Sequence, residues 1–252
     1  MPPKQAPTKR MESCNDKNFL TSSRAFINWS GGKDAALALY QVLQNKGISV
    51  ERLLTTIGKN TKRVAMHAVR EELVIAQAEA IGLPLDILYL SENPDMATYE
   101  QMMVNRLNNY SEEGISISVF GDINLQDLRQ YREDQLAKVK MIGLFPLWNK
   151  QTRKLAQEFV ESGFKAIVVS VNASLMDDSF VGIPFDQVFL DRLPPTVDPC
   201  GENGEFHTFV YDGPIFNEPV QIRNGKKIFW EYPTDPSKPG STYALWQIDL
   251  ER

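Results

Sequence analysis

The sequence predicts an α/β protein, with a parallel sheet flanked by helices in its first half and a smaller α+β unit after it. Three observations carry this. Apolar runs of strand length alternate with segments of helical period from residue 25 to about 141. The first run passes through a glycine pair straight into a helix. From residue 206 onward, β-type segments follow one another with only turns between them. No period of roughly 20 to 50 residues is present, which excludes a repeat array.

The elements follow in order. AFINW (25–29) reads as a buried strand and AALALYQVLQNKG as a helix ending at Gly47. VERLLTTIG (50–58) is a second strand, and GKNTKRVAM (58–66) a loop whose Lys62 and Arg63 read as solvated. A helix over 67–81 places Val69, Leu73, Ala76 and Ala80 on one face, and Gly82 with Pro84 ends it. LDILYL (85–90) is the third strand. Residues 95–109 form a helix with Tyr99, Met102, Met103 and Leu107 turned to the core, and ISISVFG (115–121) is the fourth strand. A helix over 126–141 carries Asp127, Arg129 and Arg132 as surface charges. LFPLW, a helix over 150–163, the strand KAIVVSV (165–171) and a short helix over 185–193 come next. The segments HTFVYDG, PVQIRNG, KKIFWEY and STYALWQIDL then read as short strands, with RNGK (223–226) as a tight hairpin. Trp148, Trp230 and Trp246 read as core. The expected division is a polar, disordered tail over 1–24, a nucleotide-type domain over 25–141 and an α+β domain over 142–252.

The chain has 252 residues with 42% hydrophobic and 23% charged, the balance of a globular protein with a real core. A net charge of −5 argues against nucleic acid as the main ligand. No apolar run is long enough to span a membrane, and the N-terminal stretch has cationic residues but no apolar segment of the secretory type. The expected location is cytoplasmic. The two cysteines, Cys14 and Cys200, have no metal or redox spacing.

Ser30-Gly31-Gly32-Lys33-Asp34 sits where the first strand meets the first helix. Glycines let backbone amides approach an anion, and the helix N-terminus adds its positive dipole end. Lys33 adds a charge at the mouth, and Asp34 is placed to hold a Mg²⁺ that bridges phosphate oxygens. A Walker A loop needs glycine at 27 and Ser or Thr at 34; the chain has Ile27 and Asp34, so this is a different phosphate loop. It resembles the SGGKDS loop of the PP-loop ATP pyrophosphatases, with Ala35 in place of the last serine.

A second dense polar segment is DPCGENGEFHT (198–208), with Glu202 and Glu205 three apart, flanked by glycines, and His207 close behind. Together with SGGKDA, GDINLQDLR (121–129), LFPLW (144–148) and SGFKAIVVSV (162–171), it resembles the diphthine–ammonia ligase branch of that superfamily over roughly residues 25 to 216. The wording is closest to that of bacterial relatives.

The resemblance implies a HUP-type (Rossmann-like) ATP-binding domain and a smaller domain that supplies the acceptor pocket. It implies a reaction in which ATP adenylylates a substrate carboxylate, pyrophosphate leaves, and ammonia displaces AMP to give an amide. Ser30, Gly31, Gly32, Lys33, Asp34 and His67 are then expected at the nucleotide, with Asp34 as metal ligand. Lys33, Asp34, Glu202, Glu205 and His207 are expected in catalysis. Gly121, Asp122, Asn203, Gly204 and Thr208 are expected at the acceptor. The expected ligands are ATP, Mg²⁺, ammonia and a carboxylate acceptor, a small metabolite in preference to a protein. A homodimer is the base-rate assembly. The competing expectation is a non-enzymatic HUP-type sensor of ATP or AMP, favoured by Ala35 and opposed by the paired carboxylates.

Overall fold

In the computed structural model, residues 23–64, 69–91, 95–233 and 242–252 are described. The first sheet is parallel throughout, in the order β3-β2-β1-β4-β5. Its strands are β1 (Ser23–Asn28), β2 (Ile48–Gly58), β3 (Leu85–Leu90), β4 (Ile115–Val119) and β5 (Ile142–Leu144). The central strand β1 has sequence-adjacent β2 on one side and β4 on the other. That reversal of direction opens a crevice at the carboxyl ends of β1 and β4, where ligands bind in open parallel sheets.

The helices of this half are α1 (Lys33–Leu43), α2 (Glu71–Ile81), α3 (Met96–Glu112) and α4 (Gln126–Lys138). α1 is buried along most of its surface, from Lys33 through Leu39 to Val42, which explains its small residues Ala35, Ala36 and Ala38. α3 and α4 cover the other face and bury little beyond Leu107, Tyr110 and Leu136. The same division runs through the core. A large cluster joins α1, α2 and the second half, and a smaller one around Phe26, Tyr110 and Phe120 lies under α3 and α4.

The second half holds α5 (Thr152–Glu161), α6 (Gln187–Arg192) and an antiparallel sheet of order β7-β6-β9-β8. These strands are β6 (Lys165–Asn172), β7 (Phe206–Asp212), β8 (Arg223–Pro233) and β9 (Thr242–Glu251). α5 buries Leu155, Ala156 and Phe159, and Phe159 stacks on Phe164. The outer edge of β7 is used for docking on the first half, where Val210 N–H donates to Gly31 O at 2.9 Å.

Four expectations change. α2 starts at Glu71, whose N–H donates to Lys62 O, and Val69 and Arg70 precede the helix. β5 lies beyond residue 141 yet belongs to the first sheet, so we place the boundary after Leu144. RNGK is not a hairpin: it is a bulge within β8, where the register with β9 shifts between Asn224 and Lys227. Gly225 is there because a Cβ would meet Asp249 O at 2.3 Å. Trp230 is 43% exposed, whereas Trp148 and Trp246 pack against the core clusters. Among the described residues, no helix is long and apolar enough to cross a membrane.

Candidate functional site

A cleft of about 460 Å³ lies at the carboxyl ends of β1, β2 and β4 and is closed on one side by the loop before β7. That volume is in the range of small-molecule sites. Asn28 holds the floor at the crevice, its amide donating to Ser118 Oγ at 2.9 Å and Val119 O at 3.0 Å.

The phosphate loop is built by a buried glutamine. Gln77 of α2 is fully buried; its amide nitrogen donates to Gly31 O at 2.9 Å and Val210 O at 2.5 Å, and its Oε1 accepts from Trp29 Nε1 at 2.9 Å. Gly31 takes φ +79°, and a Cβ there would come within 2.7 Å of Gln77 Oε1. Only glycine satisfies both the backbone and the space. Ser30 Oγ accepts from Gly32 N–H at 3.3 Å. Gly121 serves a different need: a Cβ would lie 2.9 Å from Ala35 N, so its absence lets the loop after β4 seat against the start of α1.

The sequence places the charge of Lys33 at the mouth of the site; the structure does not. Lys33 is 4% exposed. Its ammonium donates to Cys200 O and to both oxygens of Asp34, at 3.0 and 2.8 Å, and lies 5.3 Å from the Phe206 ring centroid. Burial alone lowers its pKa, but Asp34 and, further off, Glu202 outweigh that and raise it, so the ammonium stays charged. Its backbone amide is also engaged, donating to Thr208 Oγ1 at 3.0 Å. First-turn amides have no acceptor within their own helix; here one of them is satisfied from the second half.

Glu202 and Glu205, paired in the sequence, part company. Glu202 turns into the cleft and reaches across it, where Oε1 accepts from Ile123 N–H at 3.1 Å and Asn124 N–H at 3.3 Å. Burial raises its pKa, and the charge of Asp34 adds to the rise. Glu205 is 3% exposed and turns into its own loop, accepting from Asp198 N–H at 3.1 Å, Asn203 N–H at 2.9 Å and the Asn203 side chain at 3.0 Å. Neither Glu205 nor Asn203 lines the cleft. The reason is local: a tight glycine-rich turn leaves amides pointing inward, and the nearest carboxylate satisfies them. Gly204, His207 and Thr208 do line the cleft, as do Ser30, Gly32, Asp34, Gly121 and Asp122. His67 lies outside the described residues.

Asp122 is held by Arg132 of α4, Nε to Oδ2 at 2.7 Å. Its carboxyl is raised by burial, opposed by Arg132 and reinforced by the charge of Asp34. Arg132 is therefore a wall of the cleft and not a helix-surface charge; its guanidinium stacks 4.4 Å from the Phe120 ring centroid. Arg129 is likewise sandwiched against Phe145 and Trp148, at 4.7 Å from each ring. Tyr99 and Met103, read as core, are half-buried and line the cleft from α3. Gln77, Arg132, Tyr99 and Met103 were all missed as site residues, and only the i, i+4 spacing of Tyr99 and Met103 was a usable signal.

Cys200 is buried with its Sγ donating to Thr152 O at 3.2 Å, and burial pushes its thiol up to about 12. Among the described residues, no three His, Cys, Asp or Glu side chains converge as a ready-made metal cage.

Comparison with known proteins gives two domain matches: the diphthamide synthase N-terminal domain over residues 23–142 and the diphthamide synthase C-terminal domain over residues 151–235. A diphthine–ammonia ligase of Bos taurus is 31% identical over 145 residues, covering 55% of this chain and 52% of that protein. The matched stretch is thus about half of the bovine relative. A diphthine–ammonia ligase of Danio rerio is 27% identical over 224 residues, covering 77% of this chain and 84% of that protein. Among solved structures, a U34-tRNA thiolase NcsA from Methanococcus maripaludis with its [4Fe-4S] cluster aligns with a TM-score of 0.36 and 19% identity, over 56% of this chain and 57% of that one.

Proposed function

Since the chain belongs to the diphthamide synthase family, both of whose domain models match it, we propose that it is an ATP-dependent ligase that joins ammonia to a carboxylate. The relatives above are named diphthine–ammonia ligases, and the sensor reading draws nothing from them. The observation that carries the proposal is the closure of one cleft by two segments, the glycine turn that leads into α1 and the loop that leads into β7, joined by Lys33 N–H to Thr208 Oγ1 of β7 and by the Lys33 ammonium to Cys200 O of the loop. A phosphate loop and a polar acceptor loop thereby share one cavity.

In the proposed reaction a carboxylate oxygen of the acceptor attacks the α-phosphorus of ATP, and pyrophosphate leaves. Ammonia then attacks the acyl carbon, AMP leaves, and the nitrogen loses a proton as the amide forms. The chain's work is positioning and charge. Ser30, Gly31, Gly32 and the start of α1 hold phosphates, and the Lys33 charge beneath them is kept by Asp34. Phe206, Met103 and Phe120 shield the acyl adenylate from water. Glu202 and His207, both facing the cleft, are the candidates to hold ammonium and take its proton. Glu205 and Asn203 we assign to the shape of the loop. Asp122 and Arg132 orient the acceptor side.

The donor set fits a magnesium ion arriving with the nucleotide: Asp34 is partly exposed and lines the cleft with Asp122 and Glu202, whose carboxyls are raised by burial with the charge of Asp34 adding to the rise. When bound, such an ion neutralises phosphate oxygens. The acceptor we propose is a small metabolite carboxylate. Sulfur chemistry at Cys200 is disfavoured by its protonated, buried thiol, so Cys200→Ser should keep turnover within about twofold, its hydroxyl replacing the thiol as donor.

The test is product analysis with Mg-ATP, ammonium and a small-molecule extract, beside a parallel reaction with a diphthine-bearing protein. AMP and pyrophosphate that need the extract support the proposal. Formation of ADP, or turnover only with the protein, overturns the nucleotide chemistry or the acceptor class respectively.

A further inference from the structure

The second sheet ends on β8, and among the described residues no strand pairs with its outer edge. The opposite edge, β7, is already docked on the first half. An open edge of this length is a template for pairing with another chain, and proteins usually protect it with bulges, lysines or proline. β8 has these at its ends, in the bulge at Asn224–Lys227 and in Pro233. Its middle presents apolar rings: Phe229 and Trp230 are 48% and 43% exposed.

Phe229 continues the core outward. It lies opposite Trp246 of β9, with ring centroids 4.8 Å apart, and Trp246 packs on the main core cluster. The apolar row therefore runs from the core to the edge of the sheet and stops in solvent. Another strand laid against β8 would bury it.

We propose that this strand is β8 of a second copy, paired antiparallel about a two-fold axis normal to the sheet. Such an axis keeps each face on its own side, so opposed residues must have the same parity along the strand. Centring the pair on Phe229 sets Phe229 against its own copy and Lys227 against Glu231 of the second copy, twice by symmetry. A centre at Ile228 sets Lys226 against Trp230 and Gly225 against Glu231. A centre at Trp230 sets Phe229 against Glu231 and Lys227 against Pro233. Of these neighbouring registers only the first matches aromatic with aromatic and cation with anion. Lys227 already reaches Asp178, Nζ to Oδ2 at 3.6 Å, and an ammonium with three donors can serve a second carboxylate. The result is a sheet continuous through both subunits, with the two ligand clefts outside the contact.

Sedimentation of the full chain over a range of concentrations tests this, with Mg-ATP binding and circular dichroism as controls of the fold. The wild type should sediment as a dimer. Phe229→Lys should sediment as a monomer, and Glu231→Lys, which sets lysine against lysine, should weaken the dimer about tenfold. Lys227→Glu combined with Glu231→Lys should restore it. If Phe229→Lys fails the fold controls, the surface change Glu231→Lys and its rescue decide alone. A wild type that stays monomeric, or a dimer that Glu231→Lys leaves unchanged, overturns the proposal.

Discussion

Asp249 on β9 and Glu202 in the loop before β7 are both partly shielded carboxylates, but their neighbours move them in opposite directions. Asp249 accepts from Arg70 at 2.5 and 3.0 Å and from Arg63 at 2.8 Å. The hydrogen bonds from Arg70 hold its pKa below the usual carboxylate range, against burial, with Arg63 helping. Among the described residues Glu202 has two backbone amides and no arginine, and burial with the Asp34 charge holds it above that range. Asp122 shows the same rise although Arg132 is bonded to it. At β9 the charges are closed into pairs and fasten the last strand to the loop before α2. In the cleft, negative charge is left under-compensated, which is costly for folding and useful for binding cations or moving protons.

The largest effect should come from Lys33, the buried cation of the cleft. Lys33→Met keeps an apolar stem but removes the charge under the phosphate loop and strands Asp34. Turnover should fall by about 100- to 1,000-fold, measured as AMP release, and a variant with near-normal turnover would break the assignment of this loop. Next is Glu202→Gln. Product formation should fall about 100-fold while Mg-ATP affinity is retained; equal loss of both would put Glu202 in the nucleotide site.

Stability sharpens the contrast. A carboxyl raised in the folded state gives stability that is full below the ordinary range and fades as pH climbs through the raised value. Glu202→Gln copies the protonated form, so it should be at least as stable as wild type near neutral pH. That advantage should vanish in acid. Asp249 is the reverse case: its contribution is present above its unfolded pKa and lost as pH falls through the lowered one. Asp249→Asn should therefore cost about 1–2 kcal/mol near neutral pH and little in acid. Denaturant titrations across pH would read both, and parallel profiles for the two variants would erase the distinction. A smaller effect on chemistry is expected from Gln77→Leu, which removes the partner of Trp29 Nε1 and of Val210 O and leaves Gly31 O only the Val210 amide. It should cost about 2–4 kcal/mol of stability and raise the KM for ATP more than it lowers kcat.

The parallel core was legible because β1 to β4 are apolar runs of strand length between helical periods, most deeply buried in β1, β2 and β4. β5 was not, since Ile142–Leu144 is too short to show any period. RNGK has the composition of a turn, and only the neighbouring Asp249 carbonyl reveals why the glycine sits in mid-strand. At the site, the sequence located both loops but not the direction of their side chains. Glu202 and Glu205 look equivalent in one dimension, and the inward-facing amides of the turn decide which of them is spent on the loop. Gln77 left no trace at all, because a polar residue on a helix reads as solvent-facing until two buried carbonyls and an indole are found around it.

The most direct measurement is the incorporation of ¹⁵N-ammonium into an acid-stable product with Mg-ATP and the acceptor fraction, counted against AMP. One labelled nitrogen per AMP is the predicted result. AMP formation without nitrogen incorporation, or incorporation coupled to ADP, would contradict the account.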